Sequence, residues 1–116
     1  KNSASFTETA GDDQFAADPK IFSPDNDGYN DFCFVKYRQL AAGFTSNISI
    51  YDINGRAVRQ LANNSTLGTE GEFRWNGLDD GMNPLYTGHY VICVDLFSVK
   101  GKLKKYKLVV TLVRRN

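Results

Sequence analysis

Phe22-Ser23-Pro24-Asp25-Asn26-Asp27-Gly28-Tyr29-Asn30-Asp31-Phe32 is the stretch from which the fold can be read. Between its two flanking aromatics lie one proline, one glycine and five Asp or Asn residues, the composition of a tight loop capped by its own side chains. Immediately after it, Phe32-Cys33-Phe34-Val35-Lys36-Tyr37 is rich in β-formers, with apolar residues on both faces of its first half. A strand wet on one side alternates more cleanly. Phe32 and Phe34 are therefore expected either under the segment that precedes the loop, the preferred reading, or on a patch that meets a partner.

Working outward, residues 20–23 read as a short first strand that Pro24 stops. Residues 1–18, mostly Ser, Thr, Ala, Gly and Asp in no period, read as a linker from a preceding domain, which leaves 19–116 as one sandwich. Downstream, residues 48–53 alternate as a half-buried strand, and Asn54-Gly55 follows at once. Both residues of that pair accept the positive φ of a type I′ hairpin, so residues 57–61 should return antiparallel, with Gly55 as a structural position. Residues 63–71 read as a loop crossing between sheets. In Glu72-Phe73-Arg74-Trp75, outward and inward positions alternate, and the lone Trp75 reads as the largest core plug, a ligand platform being the minority alternative. Residues 77–88 form a long Asp-, Gly- and Pro-rich turn. Tyr90, Ile92, Val94 and Leu96 then share one face of a strand at 89–98, which folds back onto 102–113. These last two strands are expected side by side in the centre of one sheet. The sum is an all-β chain of about seven antiparallel strands without a helix, an Ig-like β-sandwich. Trp75 comes too late for the strand that carries the antibody tryptophan, so the likeness is read as one of architecture only.

The opening loop resembles the "F-S/T-P-N-G-D-G-x-N-D" entry of gliding-motility-associated, or type IX secretion, C-terminal sorting domains, and that of the related Ig-like domain of flagellar hook-capping proteins. Trp75-Asn76-Gly77, Asp80-Gly81, Pro84 and Gly88-His89-Tyr90 resemble a second block of the same families, and Ile50-Tyr51-Asp52-Ile53-Asn54-Gly55-Arg56 lies between them. The likeness covers roughly residues 21–113, with Asp25-Asn26 standing where Asn-Gly is usual and Asn76 where Asp is common. It implies a non-catalytic domain of a bacterial protein that passes the periplasm and is secreted or held at the outer cell surface. Its partner is then secretion or attachment machinery, met by the basic end of the last strand: Lys107, Arg114 and Arg115. The alternative is a structural spacer or assembly module that binds a neighbouring domain of its parent protein. A carbohydrate-binding module using Tyr29, Tyr86 or Phe34 stands behind both.

Cys33 and Cys93 fit no metal spacing. In an Ig-like sandwich they fall on the two strands that a disulfide can join. A tyrosine corner at Tyr90 selects Ile92 for the core and turns Cys93 outward, and Cys33 stands where the family has an inward apolar residue, so two free thiols are expected.

Charge narrows the remaining classes. The chain has 116 residues, with 14 basic against 13 acidic side chains, which speaks against a nucleic-acid binder. Residues 1–31 hold seven acids and two lysines, and residues 99–116 hold seven basic residues and no acid. Lys105 and Lys107 alternate with Tyr106 and Leu108, as on the wet face of a strand. No apolar run approaches the ~18 residues of a transmembrane segment. With Lys1 first and no signal pattern, the sequence reads as a piece of something longer.

Asp25, Asp27 and Asp31, gathered by Gly28, could supply oxygens to calcium, although the spacing is not that of an EF-hand. The competing and preferred reading is a loop held by Asx hydrogen bonds, with no cofactor. His89 is the only histidine, and no motif places a nucleophile beside it. Asp79-Asp80 lies in a turn, where capping is commoner than acid-base work. The chain is read as non-enzymatic.

Overall fold

Alternation of apolar and polar side chains sets the two layers. The computed structural model describes residues 14–25, 28, 30–38 and 43–114, and among these it has eight strands and no helix. They are β1 (Phe15–Asp18), β2 (Ile21–Phe22), β3 (Cys33–Tyr37), β4 (Phe44–Tyr51), β5 (Ala57–Thr66), β6 (Gly71–Trp75), β7 (Gly88–Ser98) and β8 (Leu103–Leu112). β1, β3 and β6 form one sheet in that order, and the other runs β2-β8-β7-β4-β5. β7 and β8 are neighbours in register from Gly88↔Leu112 to Phe97↔Leu103. Every pairing is antiparallel except β2 with β8, which is parallel.

In the lettering of Ig sandwiches, β1-β3-β6 lie as A-B-E and β8-β7-β4 as G-F-C, with β5 as an added C′. The likeness therefore extends beyond architecture to connectivity, with the tryptophan moved to the E position. Trp75 is fully buried between the layers, its ring 5.3 Å from Phe22 and edge-on to Tyr90 at 5.5 Å. Its indole N–H donates to Leu78 O at 3.0 Å, so the largest apolar group of the core carries no orphan donor. Tyr90 donates its hydroxyl to Tyr86 O at 2.7 Å, four residues upstream, as a tyrosine corner does.

Three local readings are corrected. The segment 15–18 is strand rather than linker: Phe15 is 1% exposed and packs on Tyr37 and Tyr106, with ring centroids at 5.4 and 4.9 Å. Its alternation rests on Phe15 and Ala17 alone, too small a signal to see in sequence. β5 continues through residues 63–66, because Ser46 and Thr45 of β4 go on pairing with Ser65 and Thr66, so the sheet crossing is confined to residues 67–70. The hairpin at 52–55 is not type I′. Gly55 has φ +82° but Asn54 does not share it, and Gly55 N–H bonds Asp52 O at 3.0 Å. Asp52 decides this, because its carboxylate takes the N–H groups of Asn54 and Arg56, each at 2.9 Å, and holds a three-residue turn closed by a left-handed glycine. The backbone N–H of Arg56 is the largest influence holding that carboxyl below its ordinary value.

Candidate interaction face

Two regions gather the residues singled out by sequence: the pole built from the acidic loop, and the outer face of the five-stranded sheet. At the pole, Ser23 N–H bonds Asn30 O and Asp25 N–H bonds Ser23 O, both at 2.8 Å. Gly28, at φ +84°, donates its N–H to Asp31 Oδ2 at 2.8 Å, a capping use of that carboxylate. Asp27 and Tyr29 lie outside the described residues, and among those described no three His, Cys, Asp or Glu side chains are placed to hold a metal.

Arg114 reaches into this pole. Its guanidinium donates to Leu85 O (2.9 Å), Gly77 O (3.3 Å) and Pro24 O (3.4 Å), while its N–H bonds Thr87 Oγ1 at 2.8 Å. One side chain thus ties the acidic loop to both ends of the 77–88 turn. Gly77 makes room for the clamp: a Cβ there would lie 2.9 Å from Pro24 Cγ and 3.1 Å from Leu112 Cδ1. Sequence placed Arg114 on a partner surface, whereas its fork is turned to internal carbonyls. Arg115 lies outside the described residues.

The acids of the 77–88 turn also act as caps. Asp79 Oδ1 accepts the N–H groups of Asn83 (2.8 Å) and Gly81 (2.9 Å), and the Asn83 bond is the main influence holding its carboxyl low. Asp80 covers the edge strand β5, its N–H bonding Val58 O at 3.0 Å and its carboxylate taking Gln60 N–H at 3.1 Å.

Lys107 lies on the outer face of the larger sheet, exposed, opposite Cys93 on β7 and with no ion-pair partner among the described residues. Nearby cations are paired, Lys105 with Asp95 at 4.0 Å and Arg56 with Asp52 at 3.5 Å. One register step along, Val109, Val91 and Tyr51 form an apolar row across β8, β7 and β4. Ile53, 76% exposed on the 52–55 turn, lines the same groove as Tyr51 and Val91. Turn and sheet together bound an open groove of about 400 Å³, lined by Tyr51, Ile53, His89, Val91, Cys93 and Lys107 among others. Sequence reading identified only Lys107 of this face as a partner residue. The apolar residues at the outward positions of β7 and β8, Val91 and Val109, were the available signal for the rest.

The thiols are both free, Cys33 turned into the core and Cys93 half-buried on the outer face. Burial, reinforced by the Asp18 carboxylate, pushes the Cys33 thiol up to about 12, and burial also raises that of Cys93. Neither is an activated thiolate. His89 Nδ1 lies 3.0 Å from Thr111 Oγ1.

Residues 16–112 match the family model described as CHU_C Type IX secretion signal domain. A search of curated proteins gave no match. Among solved structures, the chain is similar to PorZ, described as an essential surface component of the type-IX secretion system of Porphyromonas gingivalis. The TM-score is 0.52 at 25% identity, over 88% of this chain and 12% of PorZ, so the chain spans only a small part of that protein. It is also similar to CopC from Methylosinus trichosporium OB3b, with TM-score 0.49 at 19% identity, over 74% of this chain and 78% of CopC.

Proposed function

Because the chain belongs to the CHU_C family of type IX secretion signal domains, we propose that it is a non-catalytic sorting module, read as a folded surface by secretion machinery and then used in attachment at the outer surface. The family marks proteins that are exported to the outer cell surface or secreted. The observation that carries the reading is the family match over residues 16–112, which takes in all eight strands save the first residue of β1.

A rigid sandwich suits such a role, since a partner then meets a preformed face and little ordering entropy is lost on docking. Lys107 is the cation of the basic end that supports the partner reading, while Arg114 serves it by keeping the pole in shape. An exposed lysine adds modest affinity but steers encounter and orientation.

The test is to fuse the whole chain to a periplasm-directed reporter in a host with a working type IX system and compare surface and medium fractions with those of the unfused reporter. Export that depends on the fusion is the expected result. Periplasmic retention equal to that of the unfused reporter overturns the sorting role. Release of the fusion into the medium, with none held on cells, overturns the attachment role alone.

A further inference from the structure

We infer that the groove between the 52–55 turn and the outer face of β7 and β8 is the surface on which this domain is recognised, and that its occupant is a segment of another protein carrying an apolar side chain next to a carboxylate. The inference rests on the sorting reading and names the face that reading leaves open.

The chemistry of the occupant follows from the walls. Val91, Tyr51 and Ile53 give the groove its apolar lining, Ile53 being 76% exposed, and Val109, the partner of Val91 on β8 and 59% exposed, continues the apolar row beside it. Outward positions of a sheet facing only water are normally polar, and the inner face of the same β7 is filled by Tyr90, Ile92, Val94 and Leu96. An apolar row on the second face is therefore surplus to the core. Charge narrows the choice further. Asp52 on the lining is matched by Arg56, and Asp95, farther along β7, by Lys105, leaving Lys107 as the charge of the rim without an ion pair among the described residues. A carboxylate set beside an apolar anchor satisfies both features at once. An anionic membrane fits less well, because it would bring Asp52 and Asp95 against its own charge and has no side chain to fill the groove beside Ile53.

Cys93 gives a native probe, since it lines the groove and Cys33 is buried. The experiment compares the parent fusion with Ile53→Asp, Lys107→Glu and Leu103→Asp. Leu103 is on the same strand and exposed, but lies outside the groove. The expected result is that Ile53→Asp and Lys107→Glu lower the exported fraction about tenfold, the scale of losing one central contact, while Leu103→Asp exports normally. All three purified domains should melt within a few degrees of the parent. Maleimide labelling of Cys93 should be slower on molecules engaged in exporting cells than on the purified domain at the same pH.

Equal export of the groove variants and the parent overturns the inference and leaves the sorting role standing. Equal loss in all three variants, or melting far below the parent in the groove variants alone, overturns it too. So does binding of the purified domain to phosphatidylglycerol vesicles that Lys107→Glu abolishes, which would make the occupant a lipid surface. If the parent fusion is not exported at all, the sorting reading fails and this one falls with it.

Discussion

Replacing Arg114 by alanine removes three guanidinium hydrogen bonds, to Leu85 O at 2.9 Å, Gly77 O at 3.3 Å and Pro24 O at 3.4 Å. A hydrogen bond from a charged donor is worth roughly 1.5–3 kcal/mol when short and aligned. Only the Leu85 bond is short. The other two sit at the long limit, and part-buried carbonyls can turn to water once released. The expected loss is therefore about 2–3 kcal/mol, well under the ~6 kcal/mol that three full bonds would give. For a chain of 116 residues, at about 4 °C per kcal/mol, the melting temperature should fall by roughly 8–12 °C. Arg114→Lys keeps the charge but cannot reach three diverging carbonyls from one point, so it should recover less than half of the loss. Thermal unfolding followed by Trp75 fluorescence gives the stability. Hydrogen exchange should show faster opening in 22–32 than in β7, because the clamp holds the loop and not the sheet. A loss below about 0.5 kcal/mol, or a lysine variant as stable as the parent, would refute the clamp. Unchanged melting with abolished export would return Arg114 to the partner surface.

In the native state, a maleimide should label Cys93 alone, with two thiols counted after denaturation whether or not reductant is present. Because burial raises the folded Cys33 thiol to about 12 from an ordinary 9.0, stability from this group is full below pH 9 and is lost as pH rises towards 12; a flat stability profile across that window would contradict it. Gly77→Ala and Gly55→Ala share a left-handed φ, +80° and +82°, but only position 77 also meets Pro24 and Leu112. Gly55→Ala should cost about 1 kcal/mol and Gly77→Ala more than about 2 kcal/mol, and equal midpoints in urea would show that the pole yields more easily than its contacts suggest. Trp75 should emit at short wavelength, and Trp75→Ala should cost about 3–5 kcal/mol by loss of core volume; a red-shifted emission would place the indole in water.

Much of this fold is legible in the chain because long strands repeat their signal. β7 and β8 alternate over ten residues or more, Trp75 ends a strand that alternates with it, and Asn54-Gly55 marks a hairpin even though Asp52 selects its geometry. The elements missed are those whose identity is set by neighbours. Phe15–Asp18 has two small residues at its centre and becomes a strand only because β3 offers an edge. The polar end of β5 is strand because β4 keeps pairing with it. Arg114 could not be read as a clamp, since nothing local says that a late arginine folds back on carbonyls from residues 24, 77 and 85. The groove was half legible: Val91 and Val109 break the polar face of their strands, but the place of Ile53 on its lining depends on how the turn closes.

The pairing of β2 with β8 bears on how the domain yields to force. Thr111 N–H bonds Lys20 O at 2.7 Å and Val113 N–H bonds Phe22 O at 2.9 Å, across two strands running the same way. Tension applied between the chain ahead of residue 20 and the chain after residue 113 pulls these strands past each other lengthwise. Both bonds are then loaded together in shear, whereas an antiparallel pair pulled from its open end peels one bond at a time. The rate of giving way under load, rather than equilibrium stability, governs such a rupture. With the load applied at residue 20, or once β1 has come off β3, both bonds must therefore give way together before β8 can be drawn from β7.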